Sequence, residues 1–283
     1  MVRTQFGLTT LIIFIAMIVT AAIAAGVIIY TTQTLQQRAL QVGAQARERV
    51  STGVEVTRVW GYQYDLQAKR LDINVQAISA IMPVMRLMSG SKPIGFERIS
   101  YILTTQYGDL LAYKVGTEVP TVVYGILQGG NYLIYGFLYN GNVNVISVNS
   151  SDQKTCSAIN DYNGSYIIAT KTVVNGTVVG CSISLNESAI SNPLRDVDVL
   201  NLLSEMKAAG IDSPFAVIGL FASQISPYIQ EGDVYEVLLY IGKYLTPNTR
   251  YTLQIIPQDG YIFTIDGRIP TVLTNVLEDV WAG

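Results

Sequence analysis

The 283-residue chain carries 18 Lys and Arg against 21 Asp and Glu, a net charge of −3, and only 14% of its residues are charged. This acidic balance, without a clustered Lys/Arg surface, argues against nucleic-acid binding. The absence of histidine excludes histidine general bases, Ser-His-Asp and Cys-His nucleophiles, and histidine-ligated zinc. The sequence has no GxxxxGK loop, no GxGxxG after a strand and no EF-hand spacing. We therefore predict no enzyme, no cofactor and no bound metal.

The N-terminal region, Leu8 to Val50, is predicted to form one long helix. From Leu8 to Tyr30 it is apolar on all sides, and no charged residue occurs between Arg3 and Arg38, so this part can lie in hydrocarbon. The apolar pattern continues at helical spacing through Leu35, Ala39, Val42, Ala46 and Val50. A helix of about 45 residues would be roughly 65 Å long, about twice the thickness of a bilayer core. A membrane anchor needs only the first half, whereas a subunit that is later surrounded by copies of itself uses both.

Two further features of this region bear on its role. The small residues between Ala21 and Gly26 would let helices approach closely where lipid supplies no hydrophobic driving force, although an ordinary alanine-rich membrane span has the same composition. Arg3 stands alone before the apolar segment, while Arg38 and two further arginines follow it, which is a poor arrangement for a signal anchor. A short basic leader, removed from the N-terminus, would explain this arrangement.

The rest of the chain has the pattern of β-strands. Alternating or β-branched and aromatic segments are separated by turns such as Asn140-Gly141 and Asn175-Gly176. Many short strands at close spacing predict an antiparallel β-sandwich. One helix is predicted to interrupt it at 193–209, with Asn192 as N-cap and a left-handed stop at Gly210. Its apolar stripe indicates either packing against the sandwich or an added contact surface.

The segment around the two cysteines has features of a secreted protein. Cys156 and Cys181 flank a polar, turn-rich stretch; they would form a loop-closing disulfide in an oxidising compartment, or else remain two unrelated buried thiols. Two sulfurs cannot complete a structural zinc site. Four Asn-x-Ser/Thr patterns lie within or beside this stretch, at Asn149, Asn163, Asn175 and Asn186. Their confinement to one region predicts an exposed, glycan-bearing surface.

The chain also contains 18 tyrosines, many of them in predicted strands such as NYLIYGFLYNGN and YEVLLYIGKY. Exposed tyrosines could form an adhesive or subunit-contact surface, because each offers a large apolar area and a hydroxyl group. The preference of tyrosine for strands explains the pattern equally well.

The segment FGLTTLIIFIAMIVTAAIAAGVIIYTTQTLQQRA closely resembles the N-terminus of archaellins, the archaeal flagellins, which are built like type IV pilins. ERVSTGVEVTRVWGY is similar to the family's passage from the helix into the first strand, and ISPYIQEGDVYEVLLYIGKYLTPNTRYTLQIIPQDG to its final β region. The resemblance is carried by the two ends of the chain and includes no motif between about Gly116 and Gly210. The family's leader cleavage would fall near Thr4/Gln5, where this sequence lacks the usual preceding glycine.

The resemblance implies an α+β fold. A long, hydrophobic, type IV pilin-like α-helix (1–55) would form a filament core, and an antiparallel β-sandwich with an inserted helix (56–283) would form the outer domain, with a variable, glycan-bearing insertion at about 116–210. The helix residues expected in the filament core are Leu11, Phe14, Ile15, Ile18, Ala22, Ala25, Ile29, Leu35 and Val42.

The implied function is that of a structural subunit in a helical, homo-oligomeric filament on the cell surface, used for motility, surface adhesion or both. A prepilin-type peptidase and membrane assembly machinery would act on the subunit, which lies in the membrane before assembly. One alternative is an archaellin-like adhesion fibre without motility. The other is a single-pass membrane-anchored ectodomain, which would tolerate polar substitutions at Leu35, Val42 and Val50.

Overall fold

A computed structural model describes residues 3–51, 53–222 and 225–282, with side chains described for 10–43, 53–222 and 225–281. The chain divides into two compact units, Met1–Arg49 and Val50–Gly283. The first is helical and the second consists mainly of strands.

The predicted N-terminal helix is confirmed, and it is longer than the sequence pattern suggested. Helix α1 runs without a break over 49 residues, Arg3–Ser51, which corresponds to about 74 Å at 1.5 Å per residue. No proline interrupts it, and a Cβ added at Gly26 or Gly43 would meet nothing within 4 Å. Among the described residues, therefore, no close contact requires a glycine at either position of the helix.

The described part of the second unit contains twenty strands, two 3₁₀ turns and three helices. The strands are β1 Val54–Tyr62, β2 Tyr64–Asp65, β3 Arg70–Leu71, β4 Ile78–Leu87, β5 Ile94–Gly95, β6 Ile99–Thr105, β7 Leu110–Lys114, β8 Val122–Gln128, β9 Asn131–Tyr139, β10 Asn142–Val145, β11 Ser147–Ser150, β12 Tyr162–Asn163, β13 Ile167–Val174, β14 Thr177–Leu185, β15 Phe215–Phe221, β16 Tyr228–Ile229, β17 Val234–Leu245, β18 Arg250–Pro257, β19 Phe263–Arg268 and β20 Leu277–Ala282. The helices are α2 Gln153–Ala158, α3 Glu187–Ile190 and α4 Asp196–Ala208, and the 3₁₀ turns are Ile73–Val75 and Phe96–Arg98.

These strands form a layered domain around one large sheet. The central sheet has eight strands in the order β10-β9-β8-β15-β17-β4-β1-β20. A four-stranded sheet, β19-β18-β6-β7, covers one face, and a second one, β11-β14-β13-β12, lies with α4 on the other face. Two small two-stranded sheets, β16-β5 and β2-β3, complete the unit. We call β11-β14-β13-β12 the small sheet.

Strand β15 shows why the domain has two hydrophobic cores. Phe215 and Val217 belong to the core shared with β19-β18-β6-β7, whereas Ala216 and Ile218 belong to the core shared with α4 and the small sheet. Successive side chains of a strand point to opposite faces, so a strand covered on both sides needs a continuous apolar run. The sequence FAVIGLF of β15 has such a run.

The predicted sandwich is confirmed in outline, but its pairing is not antiparallel throughout. Strands β8 and β15 pair in parallel, with Phe215 opposite Val122. The chain between them, residues 129–214, contains the small sheet and α4. A parallel pair needs a long connection, and residues 129–214 supply one. This connection adds a third layer to the sandwich.

The predicted helix at 193–209 exists, but its first residue was placed too early. Helix α4 begins at Asp196, and Arg195, not Asn192, is its N-cap residue. The reason is that Leu194 pairs as an extended residue with Tyr132 through two backbone hydrogen bonds of 2.7 and 2.8 Å. At the other end Gly210 has φ +90°, so the predicted left-handed stop is confirmed.

Candidate assembly surface and glycan-bearing face

Helix α1 exposes the apolar residues that the sequence assigns to a filament core. The seven large ones range from 52% exposed at Ile15 to 66% at Leu35, and Ala22 and Ala25 are exposed as well. The segment Thr10–Gly43 is long and apolar enough to cross a membrane, by length and composition alone. Because water disfavours so much apolar surface, this helix requires lipid or other protein around it.

The hydroxyl groups of α1 suit the same apolar surroundings. Thr31 donates its hydroxyl proton to the carbonyl oxygen of Val27 at 2.9 Å, and Thr32 does so to Ile28 at 2.7 Å. Thr20 and Thr34 make corresponding bonds to carbonyl groups three and four residues earlier. Such bonds within the helix satisfy each hydroxyl without water. These threonines therefore do not require a polar partner outside the helix.

Two predictions on α1 concern side chains outside the described part of the structure. The expected cleavage junction at Thr4/Gln5 and the apolar position Val50 both lie within the backbone range of α1, Arg3–Ser51. Their side chains are not among those described, so both predictions stay as they were made from the sequence.

Two of the four predicted glycan acceptors lie on the same face of the small sheet. Asn149 on β11 pairs with Ser182, and Asn163 on β12 pairs with Ile168, which itself pairs with Ser184. Paired residues share a face, and so do residues two apart on one strand such as Ser182 and Ser184. Both asparagines are exposed. The acceptors at the two edges of the small sheet therefore point in the same direction, away from the domain core.

The other two acceptors differ sharply from each other. Asn175 is exposed in the tight turn that joins β13 to β14, with φ +50°. Asn186 is only partly exposed, and its side-chain amide is engaged at both ends. Its Nδ2 donates to the carbonyl oxygen of Ser165 at 3.0 Å, and its Oδ1 accepts from the hydroxyl of Ser188 at 2.6 Å. A glycan on Asn186 would be attached to the same Nδ2 that donates to Ser165.

The two cysteines are joined on the inner side of the small sheet. A disulfide links Cys156 in α2 to Cys181 in β14, and both residues are buried. The bond ties the short helix to the sheet that carries Asn149 and Asn163. Of the two alternatives open from the sequence, the structure contains the disulfide.

A buried carboxylate attaches the small sheet to α4. Glu205 is 5% exposed, and its two carboxylate oxygens accept backbone N–H bonds from Ser165 at 3.1 Å, Tyr166 at 2.8 Å and Ile167 at 3.1 Å. A buried carboxylate is stabilised when several donors surround it. Sequence periodicity does not indicate this contact, because about forty residues separate Glu205 from the loop it holds.

Half of the tyrosines lie in the two hydrophobic cores rather than on the surface. Nine of the 18 tyrosines are buried: Tyr62, Tyr64, Tyr101, Tyr113, Tyr124, Tyr132, Tyr235, Tyr240 and Tyr251. Strand packing, rather than an adhesive surface, therefore accounts for half of the tyrosine content. Within the described residues, no group of three or more Asp, Glu or Cys is arranged to hold a metal ion.

The long apolar helix followed by a layered strand domain defines a class, that of pilin-like subunits, and comparison with known proteins identifies the family. The family model for archaeal-type flagellins matches residues 4–267. The chain belongs to the archaeal-type flagellin family.

Individual relatives are similar to different extents. Flagellin B5 of Pyrococcus abyssi is 38% identical over 116 residues, covering 41% of this chain and 51% of that protein. Flagellin B3 of Thermococcus kodakarensis is 25% identical over 281 residues, covering 96% of this chain and 95% of its own. The chain thus spans about half the length of the first relative and nearly all of the second. The solved archaeal flagellum of Methanospirillum hungatei strain JF1 is 9% identical, with 94% of both chains covered and a TM-score of 0.44. The matched family and relatives are flagellins rather than enzymes.

Proposed function

We propose that this protein is a structural subunit of a helical filament on the outside of the cell. The observation that carries the proposal is the uniformly exposed apolar surface of α1, which includes all nine residues predicted for the filament core. Membership of the flagellin family supports it. The subunit itself requires no cofactor for this role.

The assembly mechanism follows from the solvent preference of α1. Before assembly the helix lies in the membrane, and a prepilin-type peptidase removes any leader that precedes it. Assembly machinery then transfers the helix from lipid into a bundle of identical helices. There the apolar side chains contact one another, and the small residues Ala22 and Ala25 allow close approach. Because the same contact repeats between head and tail surfaces, the interface does not close and a filament grows.

The two units would have different roles in the filament. Residues 1–55 form the filament core, and residues 56–283 form the outer domain, whose insertion at about 116–210 presents the glycan acceptors. Asn149, Asn163 and Asn175 are the exposed acceptors, so we expect glycans there. The hydrogen bonds of Asn186 make it the least suitable of the four.

The filament serves swimming, attachment or both. Family membership supports swimming. Because half of the tyrosines are buried, the tyrosine content lends little support to an adhesion fibre without motility. The remaining alternative, a single-pass anchored ectodomain, differs in its prediction for α1 and is tested by the same experiment as the filament.

Electron microscopy of material sheared from cells, with the protein identified by mass spectrometry, tests the proposal. We expect long filaments made mainly of this chain. The variants Leu35→Asn and Val42→Asn should reach the membrane but form no filaments, because each places an amide in the apolar bundle. Gln36→Asn is the matched control, since it exchanges one exposed amide for another on the same helix. Normal surface exposure with isolated, membrane-bound copies in the wild type would support the anchored ectodomain instead.

A further inference from the structure

The acceptor tripeptide Asn163-Gly164-Ser165 is held by hydrogen bonds of its backbone. Asn163 pairs with Ile168 across β12 and β13, and the N–H of Gly164 donates to the carbonyl oxygen of Ile167 at 2.8 Å. The side chains of Asn163 and Ser165 are exposed, but the chain that carries them is fixed. This acceptor is therefore a closed turn rather than an open loop.

Two side chains from distant parts of the sequence hold Ser165 in this turn. Oε1 of Glu205 in α4 accepts from the N–H of Ser165 at 3.1 Å. Nδ2 of Asn186, the residue that follows β14, donates to the carbonyl oxygen of Ser165 at 3.0 Å. Glu205 is 5% exposed, so its bonds are shielded from water and correspondingly strong. Ser165 is thus tied to α4 and to the end of β14 at the same time.

The two other exposed acceptors lack this tie to α4. In the described part of the chain, no hydrogen bond joins the tripeptides that begin at Asn149 and Asn175 to α4. The first ends at Ser151, which lies beyond the end of β11. The second forms the tight turn between β13 and β14, and its last residue, Thr177, pairs with Val174 of the same hairpin. Opening either tripeptide therefore leaves the attachment of the small sheet to α4 intact.

Glycan transfer requires the asparagine and the hydroxyl residue two positions later to enter an enzyme together. In the transfer, Nδ2 of Asn163 bonds to the anomeric carbon of a glycosyl phosphate donor. The bond from that carbon to the phosphate oxygen breaks, the phosphate leaves, and Nδ2 loses one proton.

An enzyme that binds the tripeptide as a peptide segment has to replace the backbone hydrogen bonds that the segment already makes. At Asn163 this means withdrawing Ser165 from Glu205, which leaves a buried carboxylate short of donors. At Asn149 and Asn175 a local opening is enough, of the kind that strand ends and turns undergo readily.

We propose that the contacts with Glu205 and Asn186 close the acceptor at Asn163, so that it receives its glycan only before α4 docks against the small sheet. Asn149 and Asn175 remain acceptors in the folded domain. The side chain of Asn163 is exposed, so a glycan that is already attached there is compatible with the closed turn. This inference rests on the proposed glycan-bearing surface and is independent of filament assembly.

Glycan transfer to folded, unglycosylated protein tests the proposal. The full-length chain is produced in a host without N-glycosylation, folded in detergent with its disulfide formed, and incubated with membranes of native cells, which supply the transferase and the glycosyl donor. Glycopeptide mass spectrometry follows each acceptor. In the wild type, transfer to Asn163 should be about 10- to 100-fold slower than transfer to Asn149 or Asn175, because it first has to break bonds to a buried charged group. Equal rates at Asn163 and Asn149 would overturn the proposal.

Variants of the two holding side chains should open the acceptor. Glu205→Gln and Asn186→Ala should each speed transfer to Asn163 by about fivefold or more and leave the rate at Asn149 unchanged. Leu253→Ala is the matched control, because it removes packing in the other hydrophobic core and destabilises the domain without touching this turn. An equal increase at Asn163 in Leu253→Ala would show that general unfolding limits the transfer, and the proposal would fail.

The glycan-bearing surface itself can fail in a distinguishable way. If the native protein carries no glycan at any acceptor, both that surface and the present inference are refuted, whereas filaments seen by electron microscopy would still support the assembly role. If the native protein is glycosylated but the folded chain accepts no glycan at all, the claim that Asn149 and Asn175 stay open is wrong.

Hydrogen exchange covers the case in which Glu205→Gln fails to fold. In the folded wild type, the amide of Ser165 should exchange about 100-fold or more slowly than that of Gly176, in the exposed turn that contains Asn175. The protection of Ser165 should be the same in the native, glycosylated protein. Equal exchange at Ser165 and Gly176 would show that the acceptor at Asn163 is open in the folded domain, which contradicts the proposal.

Discussion

Gly164 lies directly against the buried carboxylate of Glu205, so that a Cβ at position 164 would overlap that carboxylate and the ring of Tyr162. The absence of a side chain at Gly164 lets the loop between β12 and β13 close over Glu205 and donate its backbone N–H groups. Since this loop follows Asn163 directly, one helix side chain fixes the backbone around a glycan acceptor. The small sheet and α4 are therefore joined by a specific polar contact as well as by apolar packing.

Replacing Glu205 should destabilise the outer domain strongly. Glu205→Leu removes the charged acceptor of three backbone N–H groups, those of Ser165, Tyr166 and Ile167, of which the last belongs to a buried residue. Each lost hydrogen bond to a charged group costs about 1 kcal/mol or more, so we expect a loss of about 3 kcal/mol. Glu205→Gln keeps one acceptor oxygen and should cost less, about 1 to 2 kcal/mol. Urea unfolding of the full-length chain in detergent measures both.

The matched controls for this prediction are Glu118→Leu and Glu118→Gln. Glu118 is exposed, so the same chemical changes there should alter the free energy of unfolding by less than about 0.5 kcal/mol. Equal effects at positions 205 and 118 would show that the contact with the loop does not stabilise the domain.

Removing the disulfide should also weaken the attachment of the small sheet. The bond closes a loop across a sequence separation of 25 residues, for which the loss of chain entropy in the unfolded state corresponds to about 3 kcal/mol. The double variant Cys156→Ser/Cys181→Ser should therefore have its midpoint of unfolding at a lower urea concentration than the wild type. Thiol reductant should lower the urea midpoint of the wild type to that of the double variant, and should leave the midpoint of the double variant unchanged. An effect of reductant on the double variant would mean that it acts elsewhere.

Lowering the pH should reduce the free energy of unfolding of the outer domain through protonation of Asp65. The backbone N–H groups of Ala68 and Gln67, with the hydroxyl of Tyr244, hold the pKa of Asp65 below its ordinary value. A lowered pKa gives stability that is present above the unfolded pKa and is lost as the pH falls through the folded one. Wild type should therefore be more stable than Asp65→Asn at pH 7, and the difference should narrow by pH 2.5. A difference that stays constant down to pH 2.5 would contradict the assignment.

The sequence predicted those parts of this protein that depend on local patterns. The apolar run of α1 and the positive φ at Gly210 both follow from residue type within a few positions. The start of α4 was predicted wrongly because Leu194 is held extended by Tyr132, which is about sixty residues away in the chain. The parallel pairing of β8 with β15 was not predicted, because it also joins two segments that lie far apart in the chain.

The polar contacts of the core were beyond sequence analysis altogether. Glu205 looks like an ordinary charged residue on an amphipathic helix. Its role arises because folding buries it against the backbone N–H groups of a loop on a different element. Periodicity indicates which face of an element is buried, but it does not indicate which distant group a buried carboxylate will meet.

Glycan occupancy should differ among the four acceptors in a way that the structure specifies. In the native protein, Asn149→Gln, Asn163→Gln and Asn175→Gln should each lower the intact mass by one glycan, because all three asparagines are exposed. Asn186→Gln should leave the mass of the glycans unchanged, because its amide already donates to Ser165 and accepts from Ser188. Glycopeptide mass spectrometry measures each site separately. A fully occupied Asn186 would mean that the glycan is attached before the loop between β12 and β13 folds against it, since the Nδ2 that carries the glycan is the atom that bonds to Ser165.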